Sequence, residues 1–158
     1  MKELKDIRLF VYDFDGVMTD NKVIVDEQGK ESVVCNRSDG LAVQLIREMD
    51  IPQLIMSTEK NQVVKRRAEK LKLEVLNNVS DKKSCLQDYC KEHVIDISSV
   101  LFIGNDLNDK EAMEACGYSV CPSDAAPEIK EIATFITTSK GGEGVIRELY
   151  TKLNNEYS

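Results

Sequence analysis

The chain has 158 residues, 42% hydrophobic and 31% charged, with 3 Pro, 8 Gly and no repeated motif, a composition that excludes disorder and repeat arrays. That length fits the ~100–200 residues of one domain and allows an ordinary buried core, so residues 1–158 are read as a single domain. A formal charge of −7 (Lys+Arg 21 against Asp+Glu 28) argues against a broad footprint on nucleic acid or an anionic membrane; any anionic ligand needs a local cationic pocket.

The opening MKELKDIRLFVYDFDG carries charges before any apolar run, and no later run approaches the ~18 apolar residues of a membrane span, so the chain is expected to be cytoplasmic. IRLFVY (7–12) reads as a buried strand ending at Asp13. KVIVDEQGKESVVC reads as a hairpin over about 22–35, turning at Glu27–Lys30. Ser38-Asp39-Gly40 starts a helix whose apolar positions 41, 42, 45, 46 and 49 share one face. A strand at 53–57, a helix at 59–70, a strand at 74–76 and a helix at 81–92 follow. VLFIG (100–104) is a strand, 108–115 a helix, 118–121 a strand, and a final helix follows the turn Gly141-Gly142-Glu143-Gly144. This alternation predicts an α/β fold, a Rossmann-like parallel sheet with helices on both faces. Five cysteines without a C-x-x-C pair read as reduced, mostly buried thiols, and His93, the only histidine, reads as a surface residue.

In open parallel sheets the working crevice lies beyond the carboxyl ends of the strands, which selects residues 13–20, 57–60 and 104–109. Asp13 and Asp15, two residues apart at a strand tip, would repel each other unless a cation sat between them, and a hard divalent ion such as Mg²⁺ suits them. One carboxylate can then attack phosphorus while the other serves as general acid and base, although D-x-D is also ordinary loop polarity. Ser57, before a helix start, suits a phosphoryl oxygen or is simply a cap. Asn105, Asp106 and Asp109 add oxygen ligands or form a solvated turn, and Lys82 offers an ammonium or is a surface lysine. Arg67 falls in the middle of an apolar stripe with Val63, Val64 and Leu71, where an unpaired charge is costly.

Taken in order, Asp13-Phe14-Asp15-Gly16, Ser57, Lys82 and Gly104-Asn105-Asp106-Leu107-Asn108-Asp109 resemble the four motifs of the haloacid dehalogenase (HAD) superfamily. With the early hairpin, the SDG helix and the GGEGVIRE tail, the chain is similar to that superfamily's capless sugar-acid phosphatase branch over about residues 5–150. That branch holds the 3-deoxy-D-manno-octulosonate (KDO) 8-phosphate and 2-keto-3-deoxynononate (KDN) 9-phosphate phosphatases and the domain fused to some acylneuraminate cytidylyltransferases. The resemblance implies a Mg²⁺-dependent phosphatase with Asp13 as nucleophile, Asp15 as acid/base, Ser57 and Lys82 on the phosphate, and Asp13, Asp15 and the loop of Asn105, Asp106 and Asp109 on the metal. Two departures stand out. Asn105 replaces the usual Asp, which weakens the metal site and leaves a non-catalytic oligomerisation module as the alternative. Ser57-Thr58-Glu59 replaces the Ser-Gly-Arg of the KDO enzymes, and Glu59, Arg67 and Lys70 match the positions around the nine-carbon sugar acid. Lastly, Val23, Val25, Val33 and Cys35 alternate along the hairpin, whose apolar face needs cover; a homotetramer with packed hairpins is expected, as the resemblance also implies.

Overall fold

A computed structural model describes residues 4–158, the side chain of Tyr157 excepted; Met1, Lys2 and Glu3, the first residues of the 1–158 span, lie outside the described residues. The strands are β1 (Leu9–Tyr12), the hairpin β2 (Ile24–Val25) and β3 (Glu31–Ser32), β4 (Gln53–Met56), β5 (Glu74–Leu76), β6 (Val100–Ile103), β7 (Tyr118–Cys121) and β8 (Phe135–Ile136). The helices are α1 (Arg37–Glu48), α2 (Val63–Leu71), α3 (Lys82–Glu92), α4 (Lys110–Ala115), α5 (Pro127–Ile132) and α6 (Val145–Tyr157). Six strands form one parallel sheet in the order β5-β4-β1-β6-β7-β8, with β2 and β3 paired separately and antiparallel.

All four residues of β1 are buried because the central strand is covered on both faces. Phe10 and Tyr12 pack with Ala42, Ile46, Val64 and Leu149 from α1, α2 and α6. Leu9 and Val11 pack with Leu86, Met113 and Ile129 from α3, α4 and α5. Strand periodicity of two thus divides one apolar run between two cores. Among the described residues no helix is long and apolar enough to cross a membrane.

Several boundaries differ from the sequence expectation for local reasons. The helix expected at 59–70 starts at Val63, because Ser57 Oγ accepts the Glu59 N–H (3.1 Å) and Asn61 Oδ1 accepts the Val63 N–H (3.2 Å), bending the intervening chain into a loop. Helix α1 begins at Arg37, one residue before the expected start, capped by Asn36 Oδ1 on the Ser38 N–H (2.8 Å). The helix expected at 108–115 is a 3-10 turn (Leu107–Asp109) followed by α4. Helix α5 and strand β8 were not foreseen at all. On the hairpin, Val33 and Cys35 pack against the core, whereas Val23, Ile24, Val25 and Val34 face solvent. Only Cys90 and Cys121 of the five free thiols are buried; Cys35, Cys85 and Cys116 are half-buried.

Candidate active site

Strands β4, β1 and β6 are neighbours, so Asp13, Ser57 and Gly104 emerge side by side at the carboxyl edge of the sheet. The Asp13 N–H still donates to Ile103 O (2.9 Å), which fixes the carboxylate's root in the ladder. The chain then turns sharply: the Val17, Met18 and Thr19 N–H groups converge on Phe14 O at 2.9–3.3 Å, and Gly16 takes φ +83°. Buried Thr19 accepts the Gly16 N–H (3.1 Å) and the Asn21 N–H (3.2 Å) on its hydroxyl, a bracing role that sequence reasoning missed. A second brace comes from the distant glycine turn. Gly142 N–H donates to Val17 O (3.0 Å), and a Cβ on Gly141 would fall 2.0 Å from Gly16 O, so only glycine lets the two backbones meet.

Lys82, the first residue of α3, is 3% exposed and sits between two carboxylates, 2.9 Å from Asp13 Oδ1 and 2.7 Å from Asp109 Oδ1. Burial pulls its pKa down, but attraction to Asp13 and Asp109 outweighs burial and raises it above the ordinary lysine value, keeping the ammonium charged. Burial and the adjacent Asp109 push the Asp13 carboxyl well above the ordinary value, against the pull of Lys82. One cation thus serves two buried acids.

Asn105, 7% exposed, is held by its N–H donating to Asp109 Oδ2 (2.9 Å) and its carbonyl accepting from Ala126 N–H (2.9 Å). One terminal atom of its amide stands 2.9 Å from Asp13 Oδ2 and 3.0 Å from the Asp15 carbonyl oxygen. Turned nitrogen-inward, the amide donates to both; turned oxygen-inward, it closes a triangle of three oxygens. Among the described residues no three Asp, Glu, His or Cys side chains form a metal-binding group, so any cation here relies on this amide and the main-chain carbonyl beside Asp13.

The remaining expected residues divide. Ser57 is buried at the end of β4, its carbonyl accepting the Val79 N–H (3.0 Å). Asp15 is half-buried, and burial, then the charge of Glu59, raise its carboxyl, with Lys82 opposing and Glu31 adding. A cavity of about 180 Å³ opens beside it, lined by Asn21, Lys22, Glu31, Glu59 and Asn61. Asn61 Nδ2 bridges its rim, donating to Glu31 Oε2 (3.2 Å) and Glu59 Oε2 (3.3 Å). A larger cleft of about 620 Å³, beside Arg8 and Pro52, lies at the opposite, amino ends of the strands, away from these groups.

Asp106 and Asp109, expected among the metal ligands, are engaged elsewhere. Exposed Asp106 caps the Leu107–Asp109 turn through the Leu107 N–H (2.8 Å), and both Asp109 oxygens are taken, one by Lys82 and one by the Asn105 N–H. Glu59 lies in the loop rather than at a helix start. Arg67 turns toward α1, with Nη2 donating to Asn36 O (3.3 Å) and Nε buried without a hydrogen-bond partner, and Lys70 is exposed. Neither Arg67 nor Lys70 lines the Asp15 cavity.

The family profile of haloacid dehalogenase-like hydrolases matches residues 46–149. The chain belongs to this family. The chain is a phosphoric monoester hydrolase of HAD type. The 3-deoxy-D-manno-octulosonate 8-phosphate phosphatase KdsC of Escherichia coli (strain B / BL21-DE3) is 31% identical, over 94% of this chain and 80% of that protein. A crystal structure of a HAD family hydrolase from Streptomyces avermitilis superposes with a TM-score of 0.92 at 38% identity, over 96% of this chain and 93% of that one. The Moraxella catarrhalis 3-deoxy-D-manno-octulosonate 8-phosphate phosphatase, solved with a magnesium ion, a phosphate ion and KDO, superposes with a TM-score of 0.93 at 28% identity, over 97% of this chain and 88% of that one. The fold that superposes on these neighbours is the six-stranded parallel sheet with its separate antiparallel hairpin.

Proposed function

We propose that this chain, as one domain over 1–158, hydrolyses the terminal phosphate of a 2-keto-3-deoxy sugar acid through an aspartyl-phosphate at Asp13. The observation that carries this reading is the Lys82 ammonium shared by Asp13 and Asp109: it keeps a buried carboxylate available as a nucleophile and leaves positive charge where a phosphoryl oxygen would lie. A carboxylate oxygen of Asp13 forms the bond to phosphorus while the ester P–O bond breaks, and Asp15, whose carboxyl burial and then Glu59 raise above its ordinary value, acts as the acid that gives a proton to the departing alkoxide. Asp15 then takes a proton from water as the water oxygen attacks phosphorus, which returns Asp13 as carboxylate and releases inorganic phosphate. Ser57, at the end of β4, supplies a hydroxyl to the phosphoryl oxygens.

The oxygen triangle of Asp13, Asp15 and Asn105 fits Mg²⁺. Ligands at about 2.1 Å in an octahedron stand about 3.0 Å from one another, the spacing found here at 2.9 and 3.0 Å. Bound there, Mg²⁺ would neutralise charge on the phosphoryl group.

The KDO 8-phosphate phosphatases among the relatives support an eight-carbon substrate, while Glu59 in place of the glycine-arginine pattern favours a nine-carbon acid such as KDN 9-phosphate or N-acylneuraminate 9-phosphate. Lys70, and Arg67 if it leaves its contact with Asn36, are the cations proposed for the substrate carboxylate. The exposed hairpin valines favour a homotetramer, and the reading places the enzyme in the cytoplasm. Asn105 favours one second reading, a weakly active module that assembles beside an acylneuraminate cytidylyltransferase. Turnover of KDO 8-phosphate, KDN 9-phosphate and N-acetylneuraminate 9-phosphate with Mg²⁺ decides between them. Selective release from one supports the enzyme, and release from none supports the module.

A further inference from the structure

A buried carboxylate tip without a cation needs hydrogen-bond donors. Asp13 Oδ1 has two, the Phe14 N–H (2.8 Å) and Lys82. Asp13 Oδ2 and the Asp15 carbonyl oxygen beside it stand 2.9 and 3.0 Å from one terminal atom of the Asn105 amide, which is their donor only when turned nitrogen-inward. The amide thus reaches the same two oxygens that would ligate a cation. The backbone makes room for it: a Cβ on Gly16 would lie 1.9 Å from the Asn105 amide, so the side chain lies directly over the glycine of the catalytic turn. Its own backbone is anchored at both N–H and carbonyl, which leaves rotation of the amide as the available movement.

We propose that Asn105 is a two-position latch on the cation site. Nitrogen-inward, it satisfies Asp13 Oδ2 and the Asp15 carbonyl and keeps the empty site stable. Oxygen-inward, it becomes a ligand, so cation entry requires the amide to turn over. An aspartate at this position has no donor and lacks the first state; it would add a third buried carboxylate to Asp13 and Asp109 against the single ammonium of Lys82. Asparagine therefore trades cation affinity for stability of the unloaded protein, and the site loads only above a threshold of free Mg²⁺. This rests on the proposed Mg²⁺ site, but its first consequence concerns the protein without metal.

The test uses the full chain, Mg²⁺ alone as probe, and Asn105→Asp. In EDTA, Asn105→Asp is expected to melt at least about 4 °C below the parent, the scale of a destabilisation that charge crowding readily produces in a protein of this size. Mg²⁺ should raise the melting temperature of Asn105→Asp more than that of the parent, with calorimetric affinity at least about tenfold tighter. Should Asn105→Asp not fold in EDTA, the parent alone suffices: the Asn105 side-chain NH₂ resonances, assigned by NMR, should be protected from exchange in EDTA and shift on Mg²⁺ saturation as both hydrogen bonds are lost. Equal melting temperatures of parent and Asn105→Asp in EDTA, or Mg²⁺ binding that leaves the Asn105 NH₂ unchanged, overturn the latch while the phosphatase reading stands. Absence of any Mg²⁺ binding overturns both.

Discussion

Replacing Lys82 by methionine keeps the length and apolar bulk of the side chain and removes only the ammonium. Both partners, Asp13 and Asp109, are then left buried beside each other with no cation within hydrogen-bond reach, Asp109 being wholly inaccessible. Removing one member of a buried pair costs about 3–5 kcal/mol, and a domain of this kind has only about 5–15 kcal/mol in total. The variant should fold but lose roughly a third to a half of its stability, with a fall in melting temperature on the order of 10 °C. The loss should depend on pH in one direction. Asp13 already has a carboxyl raised by burial and by Asp109, and without Lys82 the opposing pull is gone. The native state then holds protons that the unfolded chain has released, so stability falls as pH rises through the range between the unfolded and the raised folded values. Urea unfolding in EDTA at pH 5 and pH 8 measures this, with an unchanged slope showing that both forms bury the same surface. A deficit below about 1 kcal/mol at both pH values would refute the view of Lys82 as the counter-ion of a buried acid pair.

Gly16→Ala should cost both stability and turnover: φ +83° disfavours any side chain and the new methyl would overlap the Asn105 amide, for a loss of about 1–3 kcal/mol by urea titration; a neutral result would show that the turn is not held closed. Asp39, buried at the start of α1, accepts the Arg147 N–H (3.0 Å) with one oxygen while the other lacks a hydrogen-bond partner. Burial raises its pKa from 3.8 to about 6 despite the Arg147 and Ile146 N–H groups and Arg67. The folded value being the higher, the native state is the better proton binder, and Asp39 costs stability progressively as pH rises from about 4 to about 6, by roughly 3 kcal/mol in all. Asp39→Asn should flatten the melting curve over that window, and parallel curves for parent and variant would contradict the assignment. Lys70→Ala should raise KM for a sugar-acid phosphate by the equivalent of ~1.5–3 kcal/mol, a charged hydrogen bond, and leave hydrolysis of a small generic ester unchanged; equal effects on both esters would remove Lys70 from recognition. Light scattering at micromolar concentration should give the mass of a tetramer, and a monomer mass would show that the exposed hairpin valines need no cover.

The sheet was legible because its central strands are continuous apolar runs, LFVY and VLFIG, each cut off by a polar turn. Helix α5 and strand β8 were not, since six helical residues and two strand residues are too short to show a period. The start of α2 was misjudged because periodicity ignores side chains such as Ser57 and Asn61 that bond the backbone and delay the helix. In the site, the D-x-D strand tip and the polar turn after β6 announce themselves locally. Lys82 does not: its value comes from burial against Asp13, 69 positions away in the chain. The same holds for Asp109, whose carboxylate reads as a metal ligand by type but is consumed by Lys82 and the Asn105 N–H. Arg67 was correctly singled out as a charge on an apolar face, yet the groups it meets belong to α1 and its cap, which helical periodicity alone cannot reveal. The glycine pair at 141–142 carried a usable signal, because adjacent glycines mark close backbone approach; here the backbone approached is the turn after Asp13.

Phosphate release from KDO 8-phosphate, compared between the parent and Asp13→Asn, each with Mg²⁺ and with EDTA, tests the aspartyl-phosphate reading most directly. Release is expected only from the parent with Mg²⁺, since a carboxamide cannot attack phosphorus; circular dichroism should show both proteins folded. Undiminished release by Asp13→Asn, or equal release in EDTA, would contradict a Mg²⁺-dependent phosphatase that works through Asp13.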